Sequence, residues 1–283
     1  CSSHKVLLVL NFRRIAWQLA ITILATMLVS SPASPAQASS TLYWMWPDGA
    51  RALGETVKDL LVSDNTLFFT ASDIGGEGTL PVESSTQFYG VGSYNGTTWS
   101  SLATGIVANG SCGTYSGRPS AQSLTGSASD LYVGGEFTSI NGVSASLVAR
   151  RSGGTWSPLG SGLCYGDTGG DYHDINVFLD GSNLYAFGTF RKANGSTDWV
   201  NGIAKWDGAT WSALGGGMSG TLYPKYGEAM AKDTVNNVLY VGGHFDAVNA
   251  SIDADGTPSG AIAGTAGIAC WNGTTWSSIG AGL

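Results

Sequence analysis

The sequence predicts an all-β fold, a β-propeller of four-stranded antiparallel blades, and three observations carry that prediction. A module recurs four times, each copy built around a strand of the Leu-Tyr-Val-Gly-Gly-x-Phe type or a variant and closing on Thr-Trp-Ser-x-Leu or a near variant. The closing tryptophans, Trp99, Trp156, Trp211 and Trp276, stand 57, 55 and 65 residues apart, and a fixed period of this length marks a repeat architecture. Glycine supplies 42 of the 283 residues, aromatic residues 11% and charged residues only 12%, with no long helical period, which is the composition of a turn-rich all-β protein. The even spacing of the aromatics argues against disorder, because disordered chains lack them.

The first 38 residues read as a secretory signal peptide. Lys5, Arg13 and Arg14 precede an apolar run over residues 15–29, which leads to the small-x-small exit Ala36-Gln37-Ala38. The run is short for an uncleaved anchor across about 30 Å of hydrocarbon, so cleavage after Ala38 is expected, leaving residues 39–283 as the exported propeller. The chain opens on Cys1 and stops at Gly280-Ala281-Gly282-Leu283, level with Gly160-Ser161-Gly162-Leu163 of an earlier copy. Further blades in a longer parent chain are therefore also expected.

Four blades follow in order. The first, about residues 41–103, is the least regular, with strands expected at 57–62, 67–71, 88–93 and 98–102. The second, 104–163, has them at 120–124, 131–137, 146–150 and 155–159. The third, 164–215, has them at 174–179, 184–190, 202–206 and 210–214. The fourth, 216–283, has them at 228–231, 239–245, 267–271 and 275–279. Asn95-Gly96, Asp207-Gly208 and Asn272-Gly273 are expected to supply the positive φ angles of tight hairpins between third and fourth strands. Residues opposed across a hairpin share a face, which pairs Tyr94 with Trp99, Trp206 with Trp211 and Trp271 with Trp276.

A single blade cannot bury such a face, and stacking blades around an axis can. Each tryptophan brings roughly 150–250 Å² of surface. At ~25 cal/mol per Å² its burial contributes several kcal/mol per blade as an upper bound. Trp99, Trp156, Trp211 and Trp276 are thus expected to be structural, packed between blades. The pairs Gly134-Gly135 and Gly242-Gly243 are expected where backbones approach closely or a strand bulges.

The run Leu239-Tyr240-Val241-Gly242-Gly243-His244-Phe245, then Gly267-Ile268-Ala269-Cys270-Trp271-Asn272-Gly273 and Trp276-Ser277-Ser278-Ile279-Gly280, resembles the repeats of the fungal cortical marker of cell polarity and of related secreted bacterial proteins. More distantly it resembles kelch-type propellers, including that of galactose oxidase. The resemblance spans about residues 41–283 and implies a propeller in an extracellular setting. It implies no catalytic motif: the Tyr, His and Tyr-linked Cys of the copper-radical oxidases have no matching set here.

Outside the leader, 10 basic side chains face 20 acidic ones, a net charge of −10, and no basic cluster exceeds two residues. Nucleic acid, which demands a concentrated cationic surface, is excluded as a partner. Asp167, Asp171, His173 and Asp174 form the densest polar cluster, a candidate metal set without recognised ligand spacing, for which a solvated acidic loop is the favoured reading. No cofactor is expected. Cys112 and Cys164 both lie just beyond a Trp-Ser-x-Leu strand and are a candidate disulfide in an oxidising compartment, although the connectivity is open. Cys270 is expected to be a reduced thiol. His244 stands at the variable site of Gly-Gly-x-Phe, where other copies have Glu136 and Thr189, and is expected to be exposed or channel-lining with them. Sequons begin at Asn95, Asn109, Asn194, Asn249 and Asn272.

Trp199 and the Trp44-Met45-Trp46 cluster break the repeat pattern, so Trp44, Trp46 and Trp199 are the binding candidates on connecting loops, with packing under a blade edge as the competing reading. With only His173 and His244 beyond the leader, general-base chemistry has few options. The leading expectation is an exported, non-catalytic scaffold, a cell-surface or extracellular module that binds a protein or glycan and meets a membrane only through export or an anchor domain. The competing one is a secreted propeller enzyme acting on carbohydrate or another extracellular polymer. A passive repeat within a larger adhesin is the third.

Overall fold

Residues 56–72, 90–103, 105–109, 112, 119–165, 174–195, 198–219, 226–249, 251–252, 258–280 and 283 are described by a computed structural model. Strands β1 (Thr56–Ser63), β2 (Thr66–Ser72), β3 (Val91–Tyr94) and β4 (Trp99–Ser101) form the first blade as an antiparallel meander. A two-residue strand, β5 (Ile106–Val107), leads on to the second blade. That blade consists of β6 (Ser120–Gly126), β7 (Asp130–Glu136), β10 (Val148–Ser152) and β11 (Thr155–Pro158), with the hairpin β8 (Ser139–Ile140) and β9 (Val143–Ser144) between its second and third strands. After β12 (Leu163–Cys164) come β13 (Ile175–Asp180), β14 (Asn183–Gly188), β17 (Ile203–Trp206) and β18 (Trp211–Ala213), with β15 (Lys192–Ala193) and β16 (Asp198–Trp199) in the same connection. After β19 (Met218–Ser219) the fourth blade is β20 (Tyr226–Asp233), β21 (Val238–His244), β25 (Ile268–Trp271) and β26 (Trp276–Ser278). Its connection holds β22 (Ala247–Val248), β23 (Ser251–Ile252) and β24 (Pro258–Ser259). The protein is all-β, a propeller-type stack of four-stranded antiparallel blades.

The hairpins between third and fourth strands work differently from the sequence expectation. Only the glycines Gly96, Gly208 and Gly273 take positive φ, while the preceding Asn95, Asp207 and Asn272 do not. The loop has four residues, closed by the pairs Tyr94↔Trp99, Trp206↔Trp211 and Trp271↔Trp276. Asn95 Oδ1 accepts the N–H groups of Thr97 and Thr98, Asp207 Oδ1 those of Ala209 and Thr210, and Asn272 Oδ1 those of Thr274 and Thr275. The side chain thus acts as an Asx turn, holding the loop without visiting the left-handed region. The second blade alone uses a two-residue turn, Gly153-Gly154, with both residues at positive φ.

Opposite the bulges at Ala121/Ser123 and Gly227/Ala229 stand Gly135 and Gly243, where any Cβ would collide with the carbonyls of Ser120 and Tyr226. That is the close approach the glycine pairs were expected to permit. Each third strand is entered through a residue at positive φ whose carbonyl accepts an N–H from the second strand. It is Gly90, Gly202 and Gly267 in three blades but Leu147, at φ 65°, in the second. Leu147 is fully buried, so packing outweighs a backbone cost of about 1–2 kcal/mol for a side chain in that region.

The three cores sit between blades. One joins Phe68 and Val91 of the first blade to Leu124, Val133 and Trp156 of the second. The next joins Val148 and Leu159 to Val177, Leu184 and Trp211. The third joins Phe187 and Leu214 to Leu239, Val241 and Trp276. Each buried tryptophan also reaches back: the indole N–H of Trp156 donates to Leu102 O at 2.8 Å, that of Trp211 to Leu159 O at 3.0 Å, and that of Trp276 to Leu214 O at 2.7 Å. The Trp-Ser-x-Leu motif therefore carries both halves of an inter-blade bond, its Trp donating backward and its Leu accepting from the next copy. Each bond adds about 1 kcal/mol to the burial.

Candidate functional site

In a four-stranded meander, the linker into a blade and the connection between its second and third strands emerge at the same end. At that end the linkers form a second set of small sheets. Strand β5 pairs with β8, which pairs with β9; β12 pairs with β15, which pairs with β16; and β19 pairs with β22, so each linker is tied to the following blade. The register repeats, with Asn141 N–H donating to Gly105 O, Asn194 to Gly162 O and Asn249 to Gly217 O. All three asparagines have positive φ, which Asn tolerates better than other non-glycine residues. The sequence signal for these ribbons was present as Phe137 to Asn141, Phe190 to Asn194 and Phe245 to Asn249, a recurring Phe-x-x-x-Asn. It was overlooked because two-residue strands have no periodicity of their own.

Trp199 lies on the middle ribbon, in strand β16 and not on a loop, and is 47% exposed; packing under the blade edge does not occur. Cys164, Lys192 and Trp199 stand side by side across the three strands of that ribbon. Lys192 Nζ sits 4.6 Å from the centroid of the Trp199 ring, a cation–π contact. Cys164 is joined to Cys112 by a disulfide, with Cα atoms 4.8 Å apart, so the ribbon that presents Trp199 is covalently tied to the segment between β5 and β6 that leads into the second blade. Asn194 adds a further tie: its Nδ2 donates to Asp198 Oδ2 at 2.6 Å and to Trp211 O at 2.9 Å, while its Oδ1 accepts the Trp211 N–H at 3.3 Å. The exposed indole is thereby held by the same tryptophan that locks blades two and three together.

The other sequence candidates are dispersed. Trp44, Trp46, Asp167, Asp171 and His173 lie outside the described residues. Asp174 precedes β13 and uses its backbone carbonyl to accept the Thr189 N–H at 3.0 Å. No group of three or more metal-ligating side chains forms among the described residues. Trp156, Trp211 and Trp276 are buried between blades, while Trp99 is half-buried, stacked on Tyr94 and edge-on to Phe69. Cys270 is buried, with its Sγ 3.2 Å from Ser277 Oγ.

The variable site of Gly-Gly-x-Phe is also corrected. Glu136 and Thr189 are buried and only His244 is exposed, where it meets the Tyr226 ring edge-on at 5.8 Å. For Glu136 the linker into blade three matters, because its Tyr165 comes near enough to feel the Glu136 charge. From that linker comes Tyr165, fully buried, whose phenol is pushed well above its ordinary value by burial first, then by the charges of Glu136 and Asp174. Such a phenol stays protonated at neutral pH and acts as a packing group.

No family model matches the chain, and neither does any curated protein. The resemblance to the polarity-marker repeats therefore rests on the repeat residues alone. Among solved structures, an α-L-arabinofuranosidase from Clostridium thermocellum aligns over 79% of this chain and 71% of its own, at 14% identity and a TM-score of 0.32. YCF48 bound to a D1 peptide aligns over 88% of this chain and 74% of its own, at 16% identity and a TM-score of 0.31. At these values the likeness carries no argument about activity or ligand.

Proposed function

We propose that the chain is an exported, non-catalytic propeller scaffold that binds a protein or glycan outside the cell or at its surface, using the ribbon around Trp199. The observation that supports this reading is the immobilised, 47%-exposed indole beside Lys192, on a ribbon held by the Cys112–Cys164 disulfide and by Asn194. A large aromatic already fixed before binding loses little conformational freedom on contact, which is why such residues anchor interfaces. The disulfide suits the oxidising compartment to which the signal-peptide pattern would send the chain. The repeat resemblance to a fungal surface marker supports the same setting.

The test is binding of the purified chain to arrayed extracellular glycans and displayed surface proteins, alongside a turnover screen on the same polysaccharides. Binding without turnover, lost in Trp199→Ala at unchanged melting temperature, is the expected result. Turnover abolished by a single acidic substitution, with the fold intact, would replace the scaffold by an enzyme.

A further inference from the structure

Of the five sequons, two stand in the four-residue hairpins of the first and fourth blades, Asn95-Gly96-Thr97 and Asn272-Gly273-Thr274, and every residue of both loops is exposed. The exposure does not depend on which blade lies alongside. The same turns of blades two and three, each flanked by a blade on both sides, are exposed as well, at Gly153-Gly154 and over residues 207–210. Among the described residues a Cβ added to Gly96 or Gly273 would meet nothing within 4 Å, so the space around each turn is open.

The two turns share one arrangement of donors. Thr97 Oγ1 donates to Asn95 Oδ1 at 2.9 Å, beside the N–H groups of Thr97 at 3.0 Å and Thr98 at 2.8 Å. Thr274 Oγ1 donates to Asn272 Oδ1 at 3.0 Å, beside the N–H groups of Thr274 at 3.0 Å and Thr275 at 2.8 Å. Three donors on one carboxamide oxygen stabilise the charge that gathers there when the amide nitrogen loses a proton and attacks an electrophile. Asn272 Nδ2 gives one hydrogen to the exposed Thr275 hydroxyl at 3.1 Å and has a second. Asn194 and Asn249 are held differently. Asn194 Nδ2 commits both hydrogens, to Asp198 Oδ2 at 2.6 Å and to Trp211 O at 2.9 Å. Asn249 is half-buried, and its Oδ1 accepts the Gly216 N–H at 3.3 Å. A sugar on Asn194 would break both of its bonds, and one on Asn249 would push into the contact between β22 and its linker. The sequon at Asn109 runs on into residues outside those described.

We propose that Asn95 and Asn272 are N-glycan acceptor sites and that Asn194 and Asn249 in the folded protein are not, a reading that rests on the exported setting proposed above. The co-reactant is an oligosaccharide carried on a polyprenyl diphosphate, with its transferase in the secretory compartment. Asparagine Nδ2 attacks the anomeric carbon and the C–O bond to the diphosphate breaks. The diphosphate leaves with the bonding pair, and one amide proton passes to a base of the transferase. In a four-stranded meander the hairpin between third and fourth strands emerges at the end opposite the ribbons. Both glycans therefore project away from Trp199 and leave its face open, while adding bulky, solubilising groups to the far side.

The test is the whole chain secreted from a eukaryotic host behind that host's own signal peptide, so that entry into the lumen does not depend on residues 1–38. Enzymatic release of N-glycans leaves Asp at each occupied site. Peptide mapping should then place glycans at Asn95 and Asn272 and none at Asn194 or Asn249. Asn95→Asp and Asn272→Asp should each remove one glycan and keep the melting temperature of the deglycosylated parent, because Asp207 holds the same turn with a carboxylate. Asp207→Asn with Ala209→Thr writes the sequon into the third hairpin and should add a glycan there. A secreted protein bare at either turn would overturn the proposal. So would a grafted turn left bare, or a glycan on Asn194 or Asn249 in molecules that melt like the parent. The same chain without the added signal peptide tests export by itself, and its retention in the cell would count against the exported reading and not against the acceptor turns.

Discussion

Trp211→Ala tests whether the repeat tryptophans hold the blades together. The indole is 3% exposed within the core joining blades two and three, and its N–H donates to Leu159 O at 3.0 Å. Emptying a buried aromatic site costs roughly 3–5 kcal/mol, of which about 1 kcal/mol is the lost hydrogen bond. At roughly 2–4 °C per kcal/mol for a domain of this size, the melting temperature should fall by about 6–20 °C. Trp211→Phe separates the contributions: most of the ring remains and Leu159 O loses its donor, for a loss of about 1–2 kcal/mol. Thermal and urea melts followed by near-UV circular dichroism read both variants against the parent. A Trp211→Ala protein that melts within a degree or two of the parent would refute the inter-blade role and leave Trp211 open to a role as a ligand platform.

The remaining predictions concern the staple and a turn. Cys164→Ser removes a cross-link over a sequence separation of 52 residues. On loop-entropy grounds this should cost about 4 kcal/mol under oxidising conditions, and reductant should lower the parent's melting temperature more than the variant's. The Asp207 carboxyl is held below its ordinary value by the N–H of Thr210 and then by that of Ala209. A depressed folded-state value stabilises above the unfolded value, near pH 4, and the contribution disappears as pH falls through the folded one. Asp207→Asn, the residue found at the same turn as Asn95 and Asn272, should keep the turn bonds and flatten that acid-side slope. Melts between about pH 2 and 5 check it, and an unchanged slope in the variant would remove Asp207 from the acid response.

The sequence by itself determined the repeat, the four meanders and the aromatic pairs across their hairpins. These depend on local alternation, on turn glycines and on a period that the chain writes four times. It also pointed to Trp199 as a residue that departs from the pattern and to Cys112 and Cys164 as a candidate disulfide, which the structure forms. Only the tertiary structure decided which residues meet across blades: that Trp211 donates to a carbonyl 52 positions earlier, that Glu136 comes near enough to Tyr165 for its charge to act on the phenol, and that Cys164, Lys192 and Trp199 line up on one ribbon. Two-residue strands have no hydrophobic period to read, and their pairing exists only once the blades are stacked.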